Sequence, residues 1–410
     1  MPIDADPSAF LWNADVLTPV VEERLALASR SKPPAERPDD RLAIFVANAP
    51  QGWSPIPGTA PKENGVWINR KWRHPTRGYD ASSFLGGAGA VWGAWNGAAF
   101  DGEYYYNYGG GHADGGDNGV RALHLASLTW SLKSLPTPLT VPFTFTNKGR
   151  KETVMLPEGS KPNGDGTATL SAPLPGHTYA LVTTLSDGRL FFGNPYAYAK
   201  NVMYFDKRID SSWIFDPRSG QWEAAKVDAV DGSGVAVTLP PQFDDRLLVI
   251  AKRSWRLLTA GGEALLDSGD VPIRMWSGGY APSHHAVFTT ALRGGLFRLQ
   301  LDDDGGVVSI TSLLRPKATP WSSYPSIFER NGRLVVIDNG RDVHFVDPET
   351  GEIETRSYRR HPDMVRVSNK VQYLPAYDVA LVVHSGRDDV WIYRFDDPLE
   401  DPPRQTRAQP

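Results

Sequence analysis

A four-part unit recurs along this 410-residue chain, and its period limits the folds open to it. The clearest part is a short alternating strand, a turn, and a second strand that often carries Trp. Copies are VRALHLASLTWSL (Val120–Leu132), SWIFDPRSGQWEAA (Ser212–Ala225) and SWRLLTAGGEALL (Ser254–Leu266). GLFRLQLDDDGGVVSI (Gly295–Ile310), VHFVDPETGEIET (Val343–Thr355) and VWIYRFDDP (Val390–Pro398) continue the series. Hairpin chemistry sits between the strands, as in Asp216-Pro217 with Gly220, Gly261-Gly262, Gly305-Gly306 and Asp347-Pro348 with Gly351. Gly supplies positive φ there and Pro presets its own φ.

A second hairpin half precedes several copies: DGRLFF (Asp187–Phe192), DDRLLV (Asp244–Val249) and NGRLVV (Asn331–Val336). A further strand comes before it, as in HTYALVTTL (His177–Leu185) and YPSIFER (Tyr324–Arg330). The full unit is four antiparallel strands, a to d. The c strands start near 121, 213, 255, 296, 343 and 391, so the intervals are 92, 42, 41, 47 and 48 residues. Four strands per period of about 40–50 residues mark an all-β protein, a β-propeller of four-stranded antiparallel blades. Six blades are visible. The first interval is two periods long, so segment 133–176 is either an insertion or a degenerate blade, and the expected count is seven.

The last copy has no d strand after it. An open ring would leave a long sheet edge exposed. RLAIFVANAPQGW (Arg41–Trp53) is expected to supply that strand and close the ring. The organisation expected is an extension over 1–40 with a short helix at VVEERLALASR (Val20–Arg30), a propeller over 41–398, and a tail over 399–410. The alternative for that helix is an oligomerisation contact.

Composition removes several function classes. Net charge is −4, from 43 Lys+Arg against 47 Asp+Glu, so no basic field exists to hold nucleic acid. NRKWRHPTR (Asn69–Arg77) reads as a solvated loop. There is no Cys, which excludes disulfides and Cys-based metal sites or nucleophiles. No apolar run approaches the roughly 20 residues of a membrane span, so no membrane partner is expected. MPIDADPSAFLWNADVLTP lacks the pattern of a signal peptide. Localisation is left open between a secreted protein whose leader is gone and a virion component.

GGGHADGGDNGVRALHLASLTWSL resembles the Kelch-type, galactose-oxidase-like propeller repeat. There a b strand ends in a glycine pair, followed by a polar loop, an apolar strand, a turn and a Trp. The closing VQYLPAYDVALVVHSGRDDVWIYRF is similar to the last blade of bacterial and bacteriophage proteins of this group. The resemblance spans about Trp92 to Phe395 and implies the fold, because propellers host many functions. It does not extend to galactose oxidase itself, whose copper site needs a Cys-crosslinked Tyr; no cofactor is expected. The propeller-fold polysaccharide lyases, ulvan lyases among them, are the nearer enzymatic analogue. In those, His, Tyr and Arg on one face take a proton from a uronic acid.

Topology gathers such residues. In a four-stranded meander the b–c loops and d–a connections share a face. That face is expected to carry His112, His177, Tyr196, Tyr198 and Arg341 as catalytic candidates. Tyr179, Arg253, Tyr280, His284, Trp321, Tyr324, Lys370 and Arg387 are the substrate-binding candidates. A base near neutral pKa, a proton donor to the glycosidic oxygen and a cation for the carboxylate are what β-elimination from a uronate needs. The expected partner is an anionic polysaccharide or other glycan. The rival hydrolytic mechanism needs paired carboxylates, for which Asp114, Asp117, Asp338 and Asp388 are the loop candidates. Asp114, Asp117 and Asn118 match no Ca²⁺ loop spacing, so no metal is expected. Structural duties compete with each assignment: His112 could shape its turn, His177 could cap its strand, and Arg341 and Arg387 could solvate theirs. Part of the Tyr104–Tyr106 run is expected in the core. A non-catalytic glycan- or protein-binding propeller, or a phage tail component, is the alternative function.

Overall fold

The computed structural model describes residues 39–66, 91–92, 96–109, 117–147, 150–174, 176–193, 196–199, 202–204, 212–225, 234–251, 253–291, 294–322, 324–364 and 368–396. His112, Asp114, Asn69–Arg77, the Val20–Arg30 segment and the tail from 399 lie outside them.

Six four-stranded antiparallel sheets form among the described residues. Their inner a strands are Ala98–Phe100, Val182–Thr184, Gly234–Thr238, Met275–Ala281, Ser326–Arg330 and Gln372–Leu374, for blades 1 to 6 in order. In blades 1 to 5 strands b, c and d follow in chain order. Blade 6 takes b from Val379–Val382 and c from Val390–Arg394, and its d strand is Gly52–Ile56 from the other end of the chain. Gly52 pairs with Arg394 and Ile56 with Val390 in an unbroken register.

The ring therefore closes with an N-terminal strand, but not with all the residues expected to form it. Arg41–Asn48 is an α-helix, not a strand. Asp40 caps it, its Oδ1 accepting the Ala43 N–H at 2.9 Å. Leu42, Phe45 and Val46 recur at helical spacing and pack on the blade 6–blade 1 core. A short apolar run fits either period, and the cap decides it.

Each pair of neighbouring blades shares one apolar cluster. The b strand Arg333–Ile337 of blade 5 shows why: Leu334 and Val336 face blade 4, while Val335 and Ile337 face blade 6. Period-two alternation buries both sides of a blade only if each has two neighbours. The tyrosine run follows this rule. Tyr105 enters the blade 6–blade 1 cluster and Tyr106 the blade 1–blade 2 cluster.

Among its described residues, segment 133–176 forms no four-stranded sheet. Leu139–Asn147 and Arg150–Pro157 form a hairpin over its own small core of Phe143, Phe145 and Leu156. A shorter ladder joins Lys161–Pro162 to Ala168–Thr169. Asn118 clamps both ends of this excursion. Its Oδ1 accepts the Thr137 N–H at 2.7 Å, and its Nδ2 donates to Pro173 O at 2.9 Å. Blade 1 thus leads directly into blade 2.

The axis is tightly filled. A Cβ on Gly97, just before the blade 1 a strand, would meet Tyr179 O at 2.3 Å and Ser368 O at 3.0 Å. These are backbone atoms of the connections into blades 2 and 6, and they cannot swing aside. Gly97→Ala is expected to cost about 1–3 kcal/mol of stability, read as a lower urea midpoint with an unchanged slope.

Candidate functional site

The connections into the a strands converge on the axis at the face shared with the b–c loops. Tyr179 enters blade 2 and Tyr324 enters blade 5, opposite positions in a six-membered ring. Their rings stack across the axis with centroids 6.2 Å apart at 22°. Trp276 of blade 4 stands edge-on to both, at 5.5 Å from Tyr179 and 5.0 Å from Tyr324. The Arg274 guanidinium lies over the Trp276 ring, 4.5 Å from its centroid. His177 completes the group: its Nδ1 is 3.4 Å from the Tyr179 hydroxyl.

Local backbone features aim these side chains. Trp276 is the unpaired residue of a β-bulge, because Met275 pairs with Ala291 and Ser277 with Thr290. A bulge re-aims the extra side chain, here toward the axis. The Trp276 indole is buried, and its Nε1 has no hydrogen-bond partner. Tyr179 holds φ +47°, in the left-handed region that aromatic residues rarely adopt. Two neighbours fix it there. Asn96 of blade 1 bridges Tyr179, and Ala236 of blade 3 donates to the next carbonyl, Ala180 O, at 2.9 Å. Strain held by flanking structure is a feature of binding sites.

Of the sequence candidates, His177, Tyr179 and Tyr324 come together. The backbone of Tyr196 joins them, since His177 pairs in register with Tyr196 in a small three-stranded sheet. Tyr198 lies on the same strand. Arg253, Arg341 and Arg387 are exposed on the b–c turns of blades 3, 5 and 6, around the rim of the same face. His112 lies outside the described residues.

Three candidates sit elsewhere. Tyr280 and His284 occupy the a–b end of blade 4, on the opposite face. GGYAPSHH is the end of a strand and a tight turn, not a d–a connection. The Tyr280 hydroxyl accepts from Gln242, and His284 bridges Glu349 at 3.1 Å and Gly332 O at 3.0 Å. Trp321 is buried in the blade 4–blade 5 cluster. Lys370 is on the expected face but buried under it, its Nζ donating to Trp92 O at 2.9 Å.

The three described loop carboxylates have structural duties, and Asp114 lies outside the described residues. Asp117 makes a fully buried pair with Arg121, which also donates to Gly119 O at 2.8 Å. Asp338 accepts from both the Ser322 N–H and its hydroxyl. Asp388 pairs with His384. None of these forms the open carboxylate pair that hydrolysis requires.

Arg274 and Trp276 were not foreseen in the sequence. The available signal was Gly278-Gly279 inside an apolar strand, which marks a bulge or a close backbone approach. A Cβ there would meet Phe288 O at 2.5 Å and Ile327 O at 2.3 Å respectively.

Fold and site together define a six-bladed β-propeller with an aromatic axial mouth. No family model matches the chain, and comparison with curated proteins finds no relative. Among solved structures the chain is similar to YCF48 bound to D1 peptide, at 12% identity and a TM-score of 0.40. The match covers 75% of this chain and 94% of that one. The fold assignment rests on the sheets described above.

The buried Asp117–Arg121 pair yields a direct test of structural against catalytic duty. Asp117→Ala leaves a buried guanidinium uncompensated and is expected to cost about 3–5 kcal/mol, measured by urea unfolding.

Proposed function

We propose that the protein is a glycan-binding propeller that takes an anionic sugar at the axial mouth. The observation that carries this is the Tyr179–Trp276–Tyr324 cluster with Arg274 over the indole. The apolar face of a pyranose packs on aromatic rings, and two of these rings, Tyr179 and Tyr324, are partly exposed. A guanidinium beside them suits a uronate carboxylate, which it can hold through two parallel hydrogen bonds. The exposed arginines of the rim add attraction for an anionic polymer despite the net negative charge of the chain.

A catalytic reading is favoured by one contact, that of His177 Nδ1 with the Tyr179 hydroxyl. In a β-elimination the proton next to the carboxylate leaves to a base, the C–O bond to the leaving sugar breaks, and a C=C bond forms. The leaving oxygen takes up a proton. In this reading the Tyr179 oxygen is the base that takes the proton and then returns it to the leaving oxygen, and His177, only 4% exposed, acts through it as a positioning residue. Arg274 stabilises the charge that builds on the carboxylate.

The experiment is calorimetric binding to a panel of uronate and neutral oligosaccharides, run beside ultraviolet detection of unsaturated uronate. Uronates are expected to bind, and Trp276→Ala to weaken them about tenfold or more. Absence of binding across the panel refutes the glycan reading. For the catalytic reading, Tyr179→Phe is expected to abolish product while binding persists. Binding with no unsaturated product from the unaltered protein leaves a lectin-like propeller and refutes the lyase.

A further inference from the structure

Blade 1 carries a second group of reactive side chains, on the face opposite the axial mouth. Glu103 lies in its a–b turn, His124 ends its c strand, and Ser127 lies in the turn that leads to Thr129 of its d strand. His124 pairs in register with Tyr104 on one side and Thr129 on the other. Two adjacent turns of one blade thus bring Glu103, His124 and Ser127 together.

The imidazole links them. His124 Nε2 lies 3.2 Å from Glu103 Oε1, and its Nδ1 lies 2.7 Å from Ser127 Oγ. The Ser127 backbone N–H donates to the same Nδ1 at 3.2 Å. A backbone N–H can only donate, so Nδ1 is the accepting nitrogen and Nε2 carries the proton toward Glu103. Nδ1 has no proton to offer, so the Ser127 hydroxyl donates to it. Thr129 Oγ1, 2.6 Å from Ser127 Oγ, donates to Ser127 in turn. The order is a nucleophile, a base, and a carboxylate that orients the base.

Both turns are fixed by their surroundings. Asp101 Oδ1 accepts the Glu103 and Tyr104 N–H groups at 2.9 and 2.6 Å. Leu128 holds φ +55° and is buried in the blade 6–blade 1 core. The helix Arg41–Asn48 docks on the c–d turn: the Arg41 N–H donates to Ala126 O at 2.7 Å, and its exposed guanidinium donates to Ser127 O at 3.0 Å. His124 and Ser127 are partly exposed and Thr129 is exposed.

We propose that Ser127 is a nucleophile for acyl transfer, with His124 as its base, Glu103 as a positioning residue and an ester as the substrate class. Ser127 Oγ attacks the ester carbonyl carbon, and its proton passes to His124 Nδ1. The Arg41 guanidinium supplies the positive charge that the oxyanion needs. The C–O bond to the alcohol breaks, and the alcohol leaves with the proton from His124. Water then attacks the acyl carbon and gives a proton to His124. The acid departs as Ser127 Oγ takes that proton back. Ile44, one helical turn on from Arg41 and 53% exposed, gives an apolar acyl group a surface to pack on. None of these residues belongs to the axial mouth, so this site is independent of glycan binding.

The test treats the full chain with diisopropyl fluorophosphate and, separately, with p-nitrophenyl acetate, and locates the modified residue by peptide mass spectrometry. One phosphoryl group is expected on Ser127. The ester is expected to release a burst of about one equivalent of nitrophenolate, with the acetyl group on Ser127. His124→Gln should slow both reactions about a hundredfold or more. Glu103→Gln should lower kcat for the ester about tenfold or more with KM unchanged. No modification of Ser127, or modification at an undiminished rate in His124→Gln, overturns the proposal. So does an acetyl group found on His124 or on lysines in place of Ser127. The mapped site on the unaltered protein decides the matter should a variant fail to fold.

Discussion

Every blade here is buried on both faces, and the ring must close for that to hold. A blade at the end of an open array would expose one full set of its alternating apolar residues. Closure rests on five register pairs between Gly52–Ile56 and Val390–Arg394, strands that lie at opposite ends of the chain. The helix Arg41–Asn48 and the Asp389 contacts with Thr59 and Ala60 flank this ladder on either side. In the closing blade no hairpin joins strand c to strand d, which come from opposite ends of the chain.

Closure with six blades has a consequence at the axis. Six a strands leave little space between them, so backbone meets backbone where Gly97 passes Tyr179 O and Ser368 O. What remains at the mouth is filled by side chains from non-adjacent blades, Tyr179 with Tyr324 and Trp276 between them. Asn369 reaches likewise from blade 6 to Gly278 O of blade 4. The candidate site is therefore a product of ring geometry. Its three rings, Tyr179, Trp276 and Tyr324, are 97 and 48 positions apart in sequence and become neighbours only when the ring is complete.

This explains what could be read in the sequence. Blade architecture was legible because period-two alternation and turn chemistry are local, and they repeat. The face carrying His177, Tyr179 and Tyr324 was legible because a meander fixes which loops share a side. Trp276 was hidden by a bulge, since MWSGGY reads as loop when one residue breaks the alternation. Tyr280 and His284 were misplaced for the same reason, at the end of that strand and in the turn after it. Lys370 looks like any loop lysine, and only packing against Trp92 and Tyr105 shows its burial. The closing strand began later than expected because Leu42, Phe45 and Val46 satisfy a helical period once Asp40 caps them.

The central functional claim is that sugar meets this protein at the axial aromatic cluster, where the Trp276 Nε1 lies buried without a partner. Its most direct test is NMR of the ¹⁵N-labelled indole groups during titration with uronate oligosaccharides, with the Trp276 resonance identified by its loss in Trp276→Phe. The account predicts a saturable shift led by Trp276. Saturable binding that leaves that resonance in place, while other indoles move, would contradict it.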